Sequence, residues 1–265
     1  MALVLKKLYQ GYFWVFDELS DKRTDDILIF KSPLCMLAIQ VSYIYIVKYL
    51  GPKLMENRKP FNIRKILLVY NTLQIFLNAF ICYKACNIMA PNLFGCGKIN
   101  YSTDEQGLSE LSISLQFLSL KILDLMDTVF FVLRKSYRQV NFLHVYHHVA
   151  MILCLWIGAR FFPGGVGMWL VIVNGFVHVL MFTYYLLTAL DSSWKNSIRL
   201  KKALTQIQLI QFTIFIIIFG RTLVDPSCEY PKLPGYLLVP QNCFMLFLFG
   251  DFYVKEYIFK KEKNN

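Results

Sequence analysis

The chain has 265 residues, a net charge of +11, 56% hydrophobic residues and only 17% charged ones. An average soluble domain is about a quarter charged and less apolar, so this composition excludes an ordinary soluble domain, and its hydrophobicity excludes a disordered chain. The basic excess calls for an acidic partner or for a topological explanation, and by charge alone nucleic acid and anionic lipid both fit.

In chain order, residues 1–26 hold no apolar core segment, so no cleavable signal peptide is expected. Apolar stretches of about 20 residues, enough to cross roughly 30 Å of hydrocarbon, then follow at 33–50, 66–86, 111–133, 141–162, 165–189, 203–220 and 235–254, before a basic tail at 255–265. The expected fold is all-α: one membrane-embedded domain over 1–265 with seven transmembrane helices. The first span is interrupted by Gln40 and Lys48. Seven spans place the termini on opposite sides. The loops 51–65, 134–140, 190–202 and 255–265 hold 16 Lys and Arg, against 8 in the loops of the other side. The positive-inside rule makes the first set cytosolic, with a lumenal N-terminal segment (1–32) and a cytosolic tail. The excess charge is thereby a topology signal, and no nucleic-acid partner is expected.

Asn100-Tyr101-Ser102 is a glycosylation sequon on the lumenal side, and Lys261-Glu262-Lys263-Asn264-Asn265 has the K-x-K-x-x form of a signal read from the cytosol that returns membrane proteins to the endoplasmic reticulum. Of seven cysteines only Cys96 and Cys228 fall in lumenal loops, and they are expected to pair.

Ionisable and strongly polar groups inside a membrane helix are costly unless buried and paired, so each marks a candidate site. The third span carries Lys121, Asp124, Asp127 and Thr128, of which Lys121, Asp124 and Thr128 share a face. A self-neutralising Lys–Asp pair that locks helix packing is the plainer reading of part of this set. The fourth span opens with His144, His147 and His148 at i, i+3 and i+4. The fifth holds Asn174 and His178 on the face of Met181, Phe182 and Tyr185, with Tyr184 beside it; the sixth holds Thr205, Gln208 and Gln211. His147 lies about six residues inside its span, roughly 9 Å below the cytosolic boundary. All four clusters fall in the cytosolic half or near the middle of their helices, which implies a pocket reached from the cytosol with an apolar continuation toward the lumen. All four histidines of the chain lie in this one site. Di-iron membrane desaturases use about twice as many histidines, whereas a mononuclear site built from three or four His and Asp124 remains open, as a His-ligated lipid oxidase or hydroxylase would need. Cys154 lies about 10 Å deeper than His147, too far to share a proton directly.

The run from Lys121 through Asp124, Asp127 and Thr128 to Arg134 and Lys135, followed by His144, His147 and His148, resembles the ELO (ELOVL) family of fatty-acid elongases. So do Asn174, His178, Met181, Tyr184 and Tyr185, then Thr205, Gln208, Gln211 and Phe212. Gly51-Pro52-Lys53 with Asn57-Arg58-Lys59-Pro60-Phe61, and the segment from Asp21 to Pro33, are similar too. Asp124 stands where the family usually has Glu, and Phe182 where it usually has Tyr.

The resemblance implies a 3-ketoacyl-CoA synthase of the endoplasmic reticulum that condenses long-chain acyl-CoA with malonyl-CoA, releasing CoA and CO2. Spans two to seven would surround a closed-ended acyl tunnel. No cofactor is implied; malonyl-CoA is the co-substrate, the other enzymes of the elongation cycle and the bilayer are partners, and a homo-oligomer is compatible. The acyl group would pass to His147, with His178 as alternative acceptor or as the partner in malonyl decarboxylation. His144 and His148 would orient the pair, Asp124 and Asp127 fix tautomers, Lys121 pair with the carboxylates, and Asn174 or Gln208 donate to developing oxyanions. Arg134, Lys135, Arg138, Lys201, Lys202, Tyr184, Tyr185 and Gln211 are the candidate substrate contacts. Direct condensation with the histidines as bases is the competing mechanism. A seven-helix receptor or transporter fits less well, because its pocket normally opens to the exterior.

Overall fold

The computed structural model describes residues 2–259; the K-x-K-x-x run of the tail lies outside the described residues. Among the described residues the protein is all-helical, with no strand. Six helical stretches are long and apolar enough to cross a membrane: Pro33–Met55, Arg64–Asn92, Phe142–Phe161, Gly165–Leu190, Ile198–Val224 and Lys232–Phe259.

The N-terminal segment opens with helix α1 (Ala2–Phe13). α2 (Pro33–Tyr45) starts where the Ser32 hydroxyl accepts the Leu34 N–H, with Pro33 in the first turn. It continues through a π-helical turn into α3 (Gly51–Met55). α4 (Arg64–Met89), α7 (Phe142–Phe161), α8 (Met168–Leu190), α9 (Ile198–Val224) and α10 (Lys232–Tyr253) follow the expected spans, α4 and α9 running past them at both ends.

The expected span at 111–133 differs. It folds as α5 (Glu105–Leu123) and α6 (Leu125–Leu133), separated by a tightened turn at Asp124, and it is absent from the six apolar candidates. Its polarity explains this: α5 carries Glu110 and Lys121 together with Ser112, Ser114, Gln116 and Ser119. α6 ends in a Schellman turn. The Ser136 N–H donates to the Phe131 carbonyl and the Lys135 N–H to that of Val132, with Lys135 at φ 55° where glycine is usual.

Helices α4, α5, α7, α10, α9 and α8 pack in that order into a closed ring, α8 returning to α4 in the most extensive contact of all. Gly175 permits that contact, since a Cβ there would meet Cys82 Cβ at 3.3 Å and the Asn78 carbonyl at 3.4 Å. α2 lies outside the ring against α7, where the Gln40 amide donates to the Val149 carbonyl at 3.1 Å.

The ring has two different ends. At the basic end Arg64 binds the carbonyls of Ala189 and Leu190, and the Phe61 N–H binds that of Leu133, so three connections meet there. At the other end a disulfide joins Cys96 to Cys228. There the buried Arg160 of α7 donates to Thr24 Oγ1, Asp25 Oδ1 and the Phe16 carbonyl, which fastens the N-terminal segment across that end. Asn100, the sequon residue, donates its amide to Asp104, whose carboxylate in turn caps α5 through the Gly107 N–H.

Candidate active site

The break at Asp124 turns a polar stretch of span three into the floor of a hydrogen-bonded network. Asp124 is 2% exposed. Its Oδ2 takes the Lys121 ammonium at 2.9 Å and its Oδ1 the Gln74 amide at 2.8 Å. The Gln74 amide also donates to the Tyr70 hydroxyl at 2.9 Å, and the Asn78 amide donates to the Gln74 carbonyl. Asp124 is thereby fixed from two helices, which a buried carboxylate requires to stay in place.

His178 of α8 approaches the same carboxylate, with Nε2 3.5 Å from Asp124 Oδ2. Its Nδ1 lies 2.9 Å from the Asn174 carbonyl, which only accepts, so Nδ1 carries a proton and Nε2 of the neutral ring presents its lone pair. The Asn174 side-chain amide donates to Gln211 Oε1 at 3.4 Å, and its own Oδ1 is buried without a partner.

The three histidines of α7 are set by a cap. Asn141 Oδ1 accepts the His144 N–H at 2.9 Å, starting the helix at a residue that brings all three rings inward. His144 Nε2 meets Thr128 Oγ1 at 2.8 Å, and Thr128 meets the Tyr43 hydroxyl of α2 at 2.8 Å. The His148 ring stands 4.5 Å from that of His144 and 5.7 Å from that of His147. His147 lines a space of about 450 Å³ together with Asn174, Gln211, Gln241 and Asn242.

A second space lies directly beside that one. Cys154, Leu155, Leu170 and Leu238 line both, the second being an apolar space of about 610 Å³ that runs on to Phe162, Gly164, Phe219 and Tyr230 at the disulfide end. From His147 to Phe162 is 15 residues of α7, about 22 Å. At the basic end a vestibule of about 1840 Å³ is lined by Arg64, Arg134, Lys195 and Lys201, with Asp127, Tyr184 and Tyr185 also on its wall.

The residues singled out from the sequence therefore divide into groups. Lys121, Asp124, Asn174, His178, Gln211 and the three α7 histidines form the central network and its cavity. Asp127 differs from the role expected of it: it touches no histidine and lines the vestibule instead. Gln208 points to Met181 Sδ at 3.9 Å, and Gln211 occupies the place by Asn174. Arg134, Lys201, Tyr184 and Tyr185 line the vestibule and Gln211 the central cavity, but the other three expected substrate contacts line neither. Lys135 donates to the Glu56 carbonyl, Lys202 lies 5.6 Å over the Tyr253 ring, and Arg138 is exposed on the turn Tyr137–Gln139. Tyr43, Tyr70, Gln74 and Asn78 belong to the network, and Arg64 and Lys195 to the vestibule, without having been singled out. The signal for the α4 set was available, because Asn71, Gln74 and Asn78 recur at i, i+3 and i+7 within an apolar span. Among the described residues no three His, Cys, Asp or Glu side chains stand where they share one metal ion.

A ring of apolar helices with an internal histidine network, between a basic end and an end lined by apolar residues, defines a multi-pass membrane protein. Comparison with known proteins agrees. The ELO: GNS1/SUR4 family matches residues 28–265. Very long chain fatty acid elongase 7 of Drosophila melanogaster is 37% identical over 262 residues, 98% of this chain and 80% of that protein. The elongase 7 of Rattus norvegicus is 35% identical over 250 residues, 92% of this chain and 86–87% of the relative being covered in this and the next case. Very long chain fatty acid elongase 1 of Homo sapiens is 34% identical over 242 residues, 90% of this chain. The chain belongs to the ELO (GNS1/SUR4) family and is a membrane protein of fatty acid elongation.

Proposed function

We propose that this chain catalyses the condensing step of elongation: a long-chain acyl-CoA and malonyl-CoA give 3-oxoacyl-CoA, CoA and CO2. The observation that supports this reading is that the apolar space adjoins the one lined by His147, sharing Cys154, Leu155, Leu170 and Leu238 as wall, so that a buried acyl tail would meet its polar head beside that histidine. The acyl chain fills the closed end, the thioester stands at His147, and the CoA phosphates occupy the vestibule among Arg64, Arg134, Lys195 and Lys201.

In the first half-reaction a ring nitrogen of His147 attacks the thioester carbonyl, the C–S bond breaks, and CoA leaves as the thiol with the imidazole proton. In the second, malonyl-CoA loses CO2 and the electron pair left on its C2 forms the new C–C bond. The C–N bond to His147 breaks at the same carbonyl, and the ring nitrogen takes up a proton from water, the one proton the whole reaction consumes. His178, held at Nδ1 by the Asn174 carbonyl, supports the enolate from the Asp124 side once Nε2 has taken up a proton. Asn174, on the cavity wall with one amide hydrogen toward Gln211 Oε1, has its second amide hydrogen to donate to the developing oxyanion. The chemistry requires no resident cofactor.

The same reading counts α5 and α6 together as a seventh crossing. It places the N-terminal segment and the disulfide in the lumen of the endoplasmic reticulum, and the vestibule and tail in the cytosol, in keeping with the loop charges. The experiment is product profiling: microsomes carrying the chain, labelled malonyl-CoA and a panel of acyl-CoAs. Extension of at least one primer by two carbons supports the reading, and no extension of any primer overturns it.

A further inference from the structure

The run from Gly51 to Phe61 is used only in part by the site: Phe61 lines the vestibule, and Gly51 and Met55 pack toward α6. Lys53, Asn57 and Arg58 point elsewhere. With Tyr45, Tyr49, Leu50 and Leu54 they line an open groove of about 1120 Å³ along α2 and α3.

All three polar side chains are exposed, and among the described residues none makes a side-chain hydrogen bond or ion pair. The acid on the same turn, Glu56, does not line the groove. Below the cations the Tyr45 and Tyr49 rings stack with centroids 6.3 Å apart, and they are 56% and 67% exposed. Tyr45 lies ten residues before Met55, about 15 Å along the helix. Two free cations and an amide thus sit at the end of a helix long and apolar enough to cross a membrane, above two tyrosines, Tyr49 the nearer to that end, and tyrosine is a residue type enriched at bilayer boundaries. A guanidinium and an ammonium side by side suit a phosphate, and basic recesses at helix ends suit anionic lipid headgroups.

We propose that this groove binds an anionic phospholipid, with its phosphate on Lys53, Asn57 and Arg58 and an acyl chain along Tyr45, Tyr49 and Leu54. The site lies apart from the residues assigned to condensation, so its occupancy is separable from activity.

The test uses the full chain in detergent with phosphatidylinositol or phosphatidylcholine. Retention is read by native mass spectrometry and stabilisation by apparent Tm. Phosphatidylinositol is retained more strongly than phosphatidylcholine and raises Tm further. Lys53→Gln with Arg58→Gln weakens its retention roughly tenfold or more, the loss expected for a charge-assisted contact. Phosphatidylcholine retention and elongation activity stay as in the parent. Lys6→Gln with Lys7→Gln, the same charge change on α1, leaves phosphatidylinositol retention unaltered. Equal retention of the two lipids, or full retention in the Lys53/Arg58 variant, overturns the proposal. An equal loss in the Lys6/Lys7 variant overturns it as well. Displacement of the lipid by millimolar inorganic phosphate or CoA would reassign the groove to a soluble phosphate ligand.

Discussion

Gly158 is the position at which the depth of the apolar space is most directly adjustable. It lies on α7 in the lining of the 610 Å³ space, and a Cβ added there meets nothing within 4 Å. The first carbon of a side chain at 158 therefore meets no clash, leucine there is expected to project into the space, and replacing a helix-interior glycine contributes about 0.8 kcal/mol of helix propensity. Gly158 is 11 residues beyond His147 and Phe162 is 15, so the usable depth falls from about 22 Å to about 16 Å. An extended backbone covers at most about 3.6 Å per three-bond residue, roughly 1.2 Å per bond, so the lost 6 Å corresponds to about five carbons. Gly158→Leu is expected to shorten the longest product by about four carbons, or two rounds of elongation, with short primers extended at the parental rate. The assay is mass-spectrometric product analysis with saturated acyl-CoAs of graded length, alongside apparent Tm. An unchanged product distribution from a folded variant would refute the placement of the acyl chain. An equal fall for every primer length would do so too.

Three further outcomes follow from the same geometry. Lys121→Met strands the buried Asp124 and should cost about 3–5 kcal/mol, lowering apparent Tm by roughly 6–20 °C; adding Asp124→Leu should restore most of the Tm while activity stays absent, and failure to recover would mean that the pair is not the source of the loss. Opening the Cys96–Cys228 disulfide, which spans 132 residues, should cost up to about 5 kcal/mol, with Cys96→Ser, Cys228→Ser and the double variant alike in Tm under non-reducing conditions. The Gly107 N–H, the Asn100 amide and Ser102 hold the Asp104 carboxyl below its ordinary value. A lowered folded value contributes stability that is full above the ordinary aspartate range and is lost as the pH falls through the folded value. Amide exchange in the first turn of α5, corrected for intrinsic rate, should therefore quicken on acidification, and Asp104→Asn should remove that dependence.

Much of this arrangement was legible in the sequence because a membrane span tolerates so few polar residues. His144, His147 and His148 converge as their i, i+3, i+4 spacing requires, and Asn174 and His178 join them from α8. Asp127 takes its expected tautomer role from the family resemblance alone, since helix spacing leaves it off the face shared by Lys121, Asp124 and Thr128; in the structure it lies on α6, past the turn at Asp124, in the vestibule wall. Lys135 looked like a substrate contact because it is basic and near the mouth, but its left-handed backbone ends α6 and its ammonium is held by Glu56. Gln74 and Asn78 needed only the reasoning applied to the other spans. That Asp124 is what they hold depends on how α4 packs, and helix spacing within α4 carries no information about that.

The central claim is that the acyl group is carried by His147. Its most direct test is the intact mass of the purified protein after incubation with a long-chain acyl-CoA and no malonyl-CoA. A single acyl adduct should form on the parent with release of one CoA, map to His147 and be absent from His147→Ala. Malonyl-CoA added afterwards should discharge it as 3-oxoacyl-CoA. No adduct and no released CoA, in a preparation that still makes 3-oxoacyl-CoA once malonyl-CoA is present, would contradict the account and assign the histidines to proton transfer alone.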